Sequence, residues 1–237
     1  MLSDVMEDYL KAIYALQQES NDPVATSAIA EYLDVTPPTV TSMVEKLEER
    51  ELVEREKYKG VELTDEGETV ALEVLRHHRL LEAYLTEHLD YSWSEVHEEA
   101  DTLEHHISEE FERRVAELLD DPEVDPHGDP IPSADLAPIE DDDTTPLSDR
   151  GEGETVVVTR VSDRDEAELQ YLSDAGITPG TKLVVRDVAP FGMVTVGVGG
   201  ERKAEDGEGR PREEGEESLP EDVARSIRVR SAVEEAA

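Results

Sequence analysis

The chain has 237 residues and carries 61 Asp and Glu against 22 Lys and Arg, a formal net charge of −39 at pH 7. It has no cysteine, which excludes disulfides, thiolate metal sites and cysteine nucleophiles, and no apolar run reaches the ~18 residues of a membrane span. A charge this negative argues at first against nucleic acid, whose phosphates would repel it. Apolar residues make up only 37%, below the ~45% of an average globular chain, yet periodic apolar segments cover most of the length and point to folded domains. The N-terminus lacks a basic n-region and a long apolar h-region, so a cytoplasmic protein without a secretory signal is expected. Lysine is scarce, and Asp and Glu decorate nearly every polar face. Such a surface stays hydrated in concentrated salt, where self-repulsion is screened, and the composition resembles that of proteins from halophilic, archaeal-type cytoplasms.

In chain order, residues 4–18 place Val5, Tyr9, Leu10, Ile13 and Leu16 at helical spacing, and Asn21-Asp22-Pro23 breaks that helix. Thr26 can cap a second helix through Leu33, with Ile29, Ala30 and Leu33 as its inner face. Asp34-Val35 turns the chain. Thr36 then suits an N-cap, and Pro37 falls at N1, where its missing N–H costs nothing. The third helix is expected to run to about Arg50, with Val40, Met43, Val44 and Leu47 inward. Two short strands, Leu52–Glu56 and Val61–Leu63, flank Lys57-Tyr58-Lys59-Gly60. Thr64 can cap a long helix from Asp65 to His88, and Ser92 with Glu95 reads as a capping box opening a helix from Trp93 to Leu119. Residues 121–153, rich in proline and carrying the acidic run Glu140–Asp143, read as a linker. After it come β-rich runs at Thr155–Val161, Thr181–Asp187, Met193–Val198 and Ser226–Arg230, with a short helix Asp165–Asp174 among them, the pattern of a small barrel. Residues 200–218 read as an acidic, Gly-rich disordered insertion. The expected domains are 1–64, 65–120, the linker 121–153, and 154–232.

Two short helices, a tight turn and a lysine-tipped β-ribbon form a winged helix-turn-helix pattern. Its second helix would present Thr36, Pro37, Pro38, Thr39, Thr41 and Ser42 to the major groove, small groups able to bond base edges or touch thymine methyls. Lys46, Arg50, Arg55, Lys57 and Lys59 are placed for phosphate contact. Regional charge sharpens this reading: residues 1–64 hold 14 acids and 6 bases, whereas residues 81–154 hold 25 acids and 3 bases. The segment that would meet DNA is the less acidic one. A helical subdomain used only for packing is the competing interpretation.

Six of the seven histidines fall between His77 and His106, among carboxylates. His97, Asp101, Glu104 and His105 lie at i, i+4, i+7 and i+8, one stripe of a continuous helix, and His78 with Glu82 is an i, i+4 pair. Imidazole and carboxylate on one face can hold a divalent transition metal, although carboxylate pairs in so acidic a chain are also simply a solvated face. His77, His88 and His106 have no partner at the right spacing. No Glu-x-x-His pair, no His-Glu-x-x-His and no phosphate-cradling glycine loop occurs, so no enzymatic activity is expected. Leu80, Leu81, Tyr84, Leu85, Val96, Leu103 and Phe111 exceed what one small bundle needs and are expected to form a homodimer surface.

Longer runs of residues then carry a family resemblance. Met6-Glu7-Asp8-Tyr9-Leu10, Pro37-Pro38-Thr39-Val40, Leu63-Thr64-x-x-Gly67, His78-Arg79-Leu80-Leu81-Glu82, Val96 through His105, and His127-Gly128-Asp129-Pro130-Ile131-Pro132 resemble the metal-dependent repressors typified by the diphtheria toxin repressor and the manganese transport regulator. The resemblance implies a mainly α fold with a small β part: a winged helix-turn-helix, a helical dimerisation domain and an SH3-like (FeoA-like) barrel. It implies a primary metal site at Asp8, Asp101, Glu104 and His105, and an ancillary site at His78, Glu82 and His97 completed by Asp165 and Glu168. Positions 8 and 101 are carboxylates where iron-responsive members carry sulfur, which moves preference toward Mn(II) with Fe(II) second. Lys11 stands where manganese-type members place a second-site Glu. The expectation is therefore a homodimeric, metal-activated repressor of metal-uptake genes, bound to double-stranded operator DNA, with no membrane or small-molecule substrate. A DNA-binding protein with a purely structural metal, and a metal-buffering or partner-binding protein without DNA function, are the alternatives.

Overall fold

Apolar residues three and four apart turn one stripe of a helix inward, and the first third of the chain follows that rule. The structure is a computed structural model that describes residues 2–20, 23–56, 59–139, 143–190, 192–199 and 215–232. Its elements are α1 (Asp4–Ser20), α2 (Thr26–Tyr32), α3 (Pro37–Glu48), β1 (Val53–Glu56), β2 (Gly60–Leu63), α4 (Asp65–Leu89), α5 (Val96–Leu103), α6 (Glu109–Leu118), β3 (Thr145–Pro146), β4 (Thr155–Val161), α7 (Glu166–Ala175), β5 (Lys182–Val188), β6 (Val194–Gly199), β7 (Gly215–Leu219), α8 (Glu221–Ser226) and β8 (Ile227–Ser231). They divide into two units. Met1–Leu81, Ala100–Asp121 and Ile131–Ile139 make the first, and Glu82–Glu99, Pro122–Pro130 and Glu140–Ala237 the second.

In the first unit, Leu10 and Ile13 of α1 are wholly buried against Ile29 of α2 and Val40, Val44 and Leu47 of α3. Each such side chain contributes about 2 kcal/mol of burial. Thr36 is the N-cap of α3 with Pro37 at N1, as expected. Its hydroxyl makes no cap bond, however, and lies 2.8 Å from the Thr39 hydroxyl instead. The cap of α2 is Ala25 rather than Thr26. β1 and β2 form an antiparallel wing, with Glu56 opposite Gly60. Thr64 caps α4 by accepting from the Gly67 N–H at 3.0 Å. Gly67 is required there, because a Cβ would lie 1.9 Å from the Leu52 carbonyl.

Two expectations for the middle of the chain are corrected. Residues 93–119 do not form one helix: α5 ends at Leu103, and α6 starts at Glu109, capped by Ser108, which accepts from the Phe111 N–H. Nor do Leu80, Leu81, Leu85 and Val96 offer a dimer surface. They are at most 4% exposed within the single chain, whereas Phe111 is 41% and Leu118 59% exposed.

The second unit holds a six-stranded antiparallel sheet in the order β3-β8-β4-β5-β6-β7, closed over a core of Val156, Val158, Leu169, Leu172, Leu183, Val196 and Val229. α7 ends at Gly176, whose φ of 75° is left-handed. The expected linker is partly structured: β3 pairs with β8, and Leu147 just after it is fully buried. The expected insertion 200–218 is likewise shorter, since residues 215–218 pair with β6. Residues 200–214 lie outside the described residues, as do 140–142 of the acidic run and Lys57 of the wing. Among the described residues no helix is long and apolar enough to cross a membrane.

Candidate metal clusters and DNA-reading surface

While Leu10 and Ile13 of α1 are buried in the core, Glu7, Asp8 and Lys11 are only partly covered and meet residues of α5 and the turn after it. His105 places its Nδ1 2.7 Å from the Glu7 carboxylate and its Nε2 3.0 Å from Asp8 and 3.4 Å from Glu104. His78 of α4 places its Nδ1 2.6 Å from Glu104 and 3.3 Å from Asp101. Lys11 Nζ donates to Asp101 at 2.8 Å and to Glu104 at 2.7 Å. His77, unassigned from the sequence, sets its Nδ1 3.0 Å from the Glu104 carbonyl, steadying the turn. His88 and His106 are exposed.

Glu104 is 1% exposed and His78 3%. A carboxylate so buried is costly unless cations or donors surround it, and here they do. Burial pushes the Asp8 carboxyl above its usual range, partly opposed by His105 and Lys11. At Asp101 burial acts the same way, but the His78 hydrogen bond and the Lys11 charge outweigh it and hold the carboxyl well below the usual range. Burial would lower His105, yet the Glu7 hydrogen bond and the Glu104 and Asp8 charges raise it. Asp8, Glu104 and His105 each present a donor atom within 4.8 Å of the others, as do His78, Asp101 and Glu104. This mixed imidazole and carboxylate set fits a hard-to-borderline divalent ion such as Mn(II) or Fe(II).

A second cluster lies in the second unit. His97 Nδ1 is 3.3 Å from Glu82 and 3.2 Å from Asp163, and His127 Nδ1 is 3.5 Å from Glu82. Glu82, Asp125 and His127 are buried with donor atoms within 4.8 Å of one another. The loop 125–130 that brings His127 in is tightly built. Asp125 Oδ1 accepts from the His127 and Asp129 N–H groups, Val161 donates to the His127 carbonyl, and His127 Nε2 lies 2.8 Å from the Trp93 carbonyl. Gly128, at φ +88°, has the Thr159 carbonyl 2.0 Å from where a Cβ would stand. Burial alone would lower His127, but Glu82 beside it pushes the imidazole up to about 9.

Asp8, Glu104 and His105 come together as the resemblance implies, and the differences from expectation are few. α5 ends at Leu103, so Glu104 and His105 lie in the turn beyond it and not on the helical stripe that carries His97 and Asp101. His78 also faces Asp101 and Glu104. Asp165 and Glu168 are not brought to His97: Asp165 is the N-cap of α7, accepting from the Glu168 N–H, and Glu168 accepts from the Ser226 hydroxyl. Asp163, two residues earlier, stands at His97. Glu7, Asp125, Asp163 and His127 were missed as cluster members, and Lys11, noted only as standing in place of a second-site Glu, joins the first cluster. The i, i+4 spacing of Glu7 and Lys11 around Asp8 was the available signal.

On α3, Thr36, Pro37, Pro38, Thr39, Thr41, Ser42, Lys46 and Arg50 are all exposed, while Val40, Val44 and Leu47 are buried. The first turn of α3 is thus an open face seated on a rigid apolar base. Lys59 on the wing is exposed. Arg55 is not simply available for phosphate, because it pairs with Glu48 at 3.2 Å.

Residues 1–61 match the iron dependent repressor N-terminal DNA binding domain, residues 64–133 the iron dependent repressor metal binding and dimerisation domain, and residues 145–207 the FeoA domain. The iron-dependent repressor IdeR of Mycobacterium tuberculosis is 31% identical over 96% of this chain and 97% of its own length. The diphtheria toxin repressor of Corynebacterium efficiens is 38% identical over 77% of this chain and 83% of its own. A solved manganese-dependent transcriptional repressor in complex with manganese superposes with a TM-score of 0.83 at 36% identity, covering 96% of this chain and all of that one. ScaR with bound Zn2+ superposes at 0.77 and 32% identity, over 96% and 99% of the two chains. With its winged N-terminal head, helical metal-binding segment and C-terminal FeoA sheet, the chain belongs to the iron-dependent repressor family of the diphtheria toxin repressor, whose members are metal-dependent transcriptional regulators and not enzymes.

Proposed function

We propose that the chain is a homodimeric, cytoplasmic repressor of metal-uptake genes, activated by Mn(II), with Fe(II) as second choice, and binding double-stranded operator DNA. The observation that carries this reading is the meeting, within one unit, of Asp8 on α1 with Glu104 and His105 beyond α5. Asp8, Glu104 and His105 would hold a divalent ion there, which would supply positive charge to the converging carboxylates and would tie α1 to the segment after α5. Glu7, bonded to His105 Nδ1, leaves the ring's Nε2 facing Asp8 and Glu104. Leu10 and Ile13 on the same helix support α2 and α3, so fixing α1 fixes the reading helix. Metal and DNA affinity are then reciprocally linked.

Carboxylates at positions 8 and 101, in a chain without cysteine, support manganese over softer ions. The second cluster, Glu82 and His97 with Asp163, is read as an ancillary site supported by Asp125 and His127. Phe111 and Leu118, seven residues apart on one face of α6 and both exposed, support a self-association surface, and a dimer would set two reading heads for half-sites about one helical turn or a multiple apart. The acidic composition supports work in molar salt, where counterion release contributes little and recognition leans on base contacts from Thr36 to Ser42. DNase footprinting at molar KCl with Mn(II), Fe(II), Zn(II) or chelator tests the reading. Protection should require Mn(II) or Fe(II), and equal protection in chelator would overturn it. Analytical ultracentrifugation giving a monomer at micromolar concentration would overturn the dimer.

A further inference from the structure

The first cluster holds more donors than one ion needs, and it already contains a cation. Its donor atoms fall into two sets that share Glu104: Asp8, Glu104 and His105, and His78, Asp101 and Glu104. The Lys11 ammonium, on a side chain only 19% exposed, sits 2.8 Å from Asp101 and 2.7 Å from Glu104, the two carboxylates of the second set. The other Glu104 oxygen and Asp101 are both turned to His78, at 2.6 and 3.3 Å. Asp8 and His105 of the first set are bonded to one another at 3.0 Å, beside the two ion pairs that Lys11 makes.

We propose that Lys11 is a built-in cation that fills one of the two cation positions of this cluster, so that the cluster takes one divalent ion where its donors would accommodate two. Charge supports it: Glu7, Asp8, Asp101 and Glu104 bring four negative charges and Lys11 one positive, which a single divalent ion reduces to −1, whereas two ions beside the ammonium would leave an excess of positive charge crowded on Glu104. Tethered on α1, the ammonium also holds Asp101 and Glu104 together when no metal is present. The inference rests on the metal-binding reading above.

The test is Mn(II) counting by equilibrium dialysis, with electron paramagnetic resonance, on the full chain. Wild type and Lys11→Arg should give an isolated-ion spectrum from the Asp8-dependent ion. Lys11→Glu should bind one additional ion per chain and show an exchange-coupled pair, and Lys11→Gln should take up the additional ion at higher Mn(II). An exchange-coupled pair in the wild type would overturn the inference even if the variants failed to fold. So would Lys11→Glu and Lys11→Gln proteins with native circular dichroism that hold no more Mn(II) than wild type. Wild type whose bound Mn(II) is indifferent to Asp8→Ala would overturn the underlying metal reading instead, so the two failures are distinguishable.

Discussion

Glu104→Gln isolates the centre of the first cluster, because it keeps the shape of a fully buried side chain and removes only its charge. In metal-free protein two effects oppose each other. The bonds from Lys11 and His78 weaken, each charged hydrogen bond contributing about 1.5–3 kcal/mol, while repulsion from Asp8 and Asp101 is relieved. Lys11 retains Asp101, so a net cost of about 2 kcal/mol is expected, a fall of roughly 4–8 °C in melting temperature for a chain of this size. The larger effect is on metal. Loss of an outer partner weakens metal binding 10- to 100-fold, so loss of a direct ligand should cost at least ~100-fold, or about 2.7 kcal/mol. At Mn(II) near a hundred times the wild-type Kd, wild type gains about 2.7 kcal/mol and the variant only about 0.4 kcal/mol. Differential scanning calorimetry with Mn(II) and with chelator reads both quantities. A variant that keeps the whole wild-type Mn(II) shift would refute Glu104 as a ligand.

Three further outcomes are expected. Lys57→Glu with Lys59→Glu should weaken operator binding without changing Mn(II) affinity, and lower the slope of log K against log salt by about 2 if both lysines meet phosphate; filter binding across a KCl series measures it. In chelator, protonated His127 should add stability on the order of 3 kcal/mol: its folded value is raised to about 9 above an unfolded value near 6.5, so the contribution is complete below pH ~6.5 and disappears as pH rises through about 9. Thermal melts from pH 6 to 10 should show that loss in wild type and a flatter profile in His127→Gln. Gly128→Ala should cost more than about 1–2 kcal/mol from its left-handed backbone, plus the displacement forced by the Thr159 carbonyl, and urea midpoints would show it; a neutral substitution would contradict the close approach of that loop to β4.

What could be read from the sequence was what neighbouring residues decide. The inner faces of α1 and α3, the Thr36-Pro37 start, the Thr64 cap of α4 and the Lys59 wing are all set within a few positions, and they are found as expected. The end of α5 was missed, because Glu104-His105-His106 contains no glycine or proline to mark a stop; Ser108, the cap of α6, was the local cue. Once the helix breaks, a stripe drawn through it loses its meaning beyond Leu103, which is why Glu104 and His105 belong to a turn rather than to a helix face. Asp165 was a reasonable ligand candidate on position, but a helix start two residues after Asp163 claims its carboxylate as a cap. β7 was hidden because its sequence, Gly-Glu-Glu-Ser-Leu, buries only Leu219 at the sheet edge.

The chain contains a single tryptophan, and it is placed at the second cluster. Trp93 donates its indole N–H to the Pro126 carbonyl, and its ring centroid lies 5.1 Å from that of His127. Tryptophan emission, excited selectively beyond the tyrosine absorption, is therefore a private reporter of the Glu82–His127 neighbourhood. Protonated imidazole and paramagnetic Mn(II) both quench indole, so a fluorescence titration follows filling of the second cluster directly. An ion entering at Asp8 and His105 has no tryptophan in its own unit to announce it, which lets optical and calorimetric isotherms taken on one sample be subtracted to give the order in which the two clusters fill.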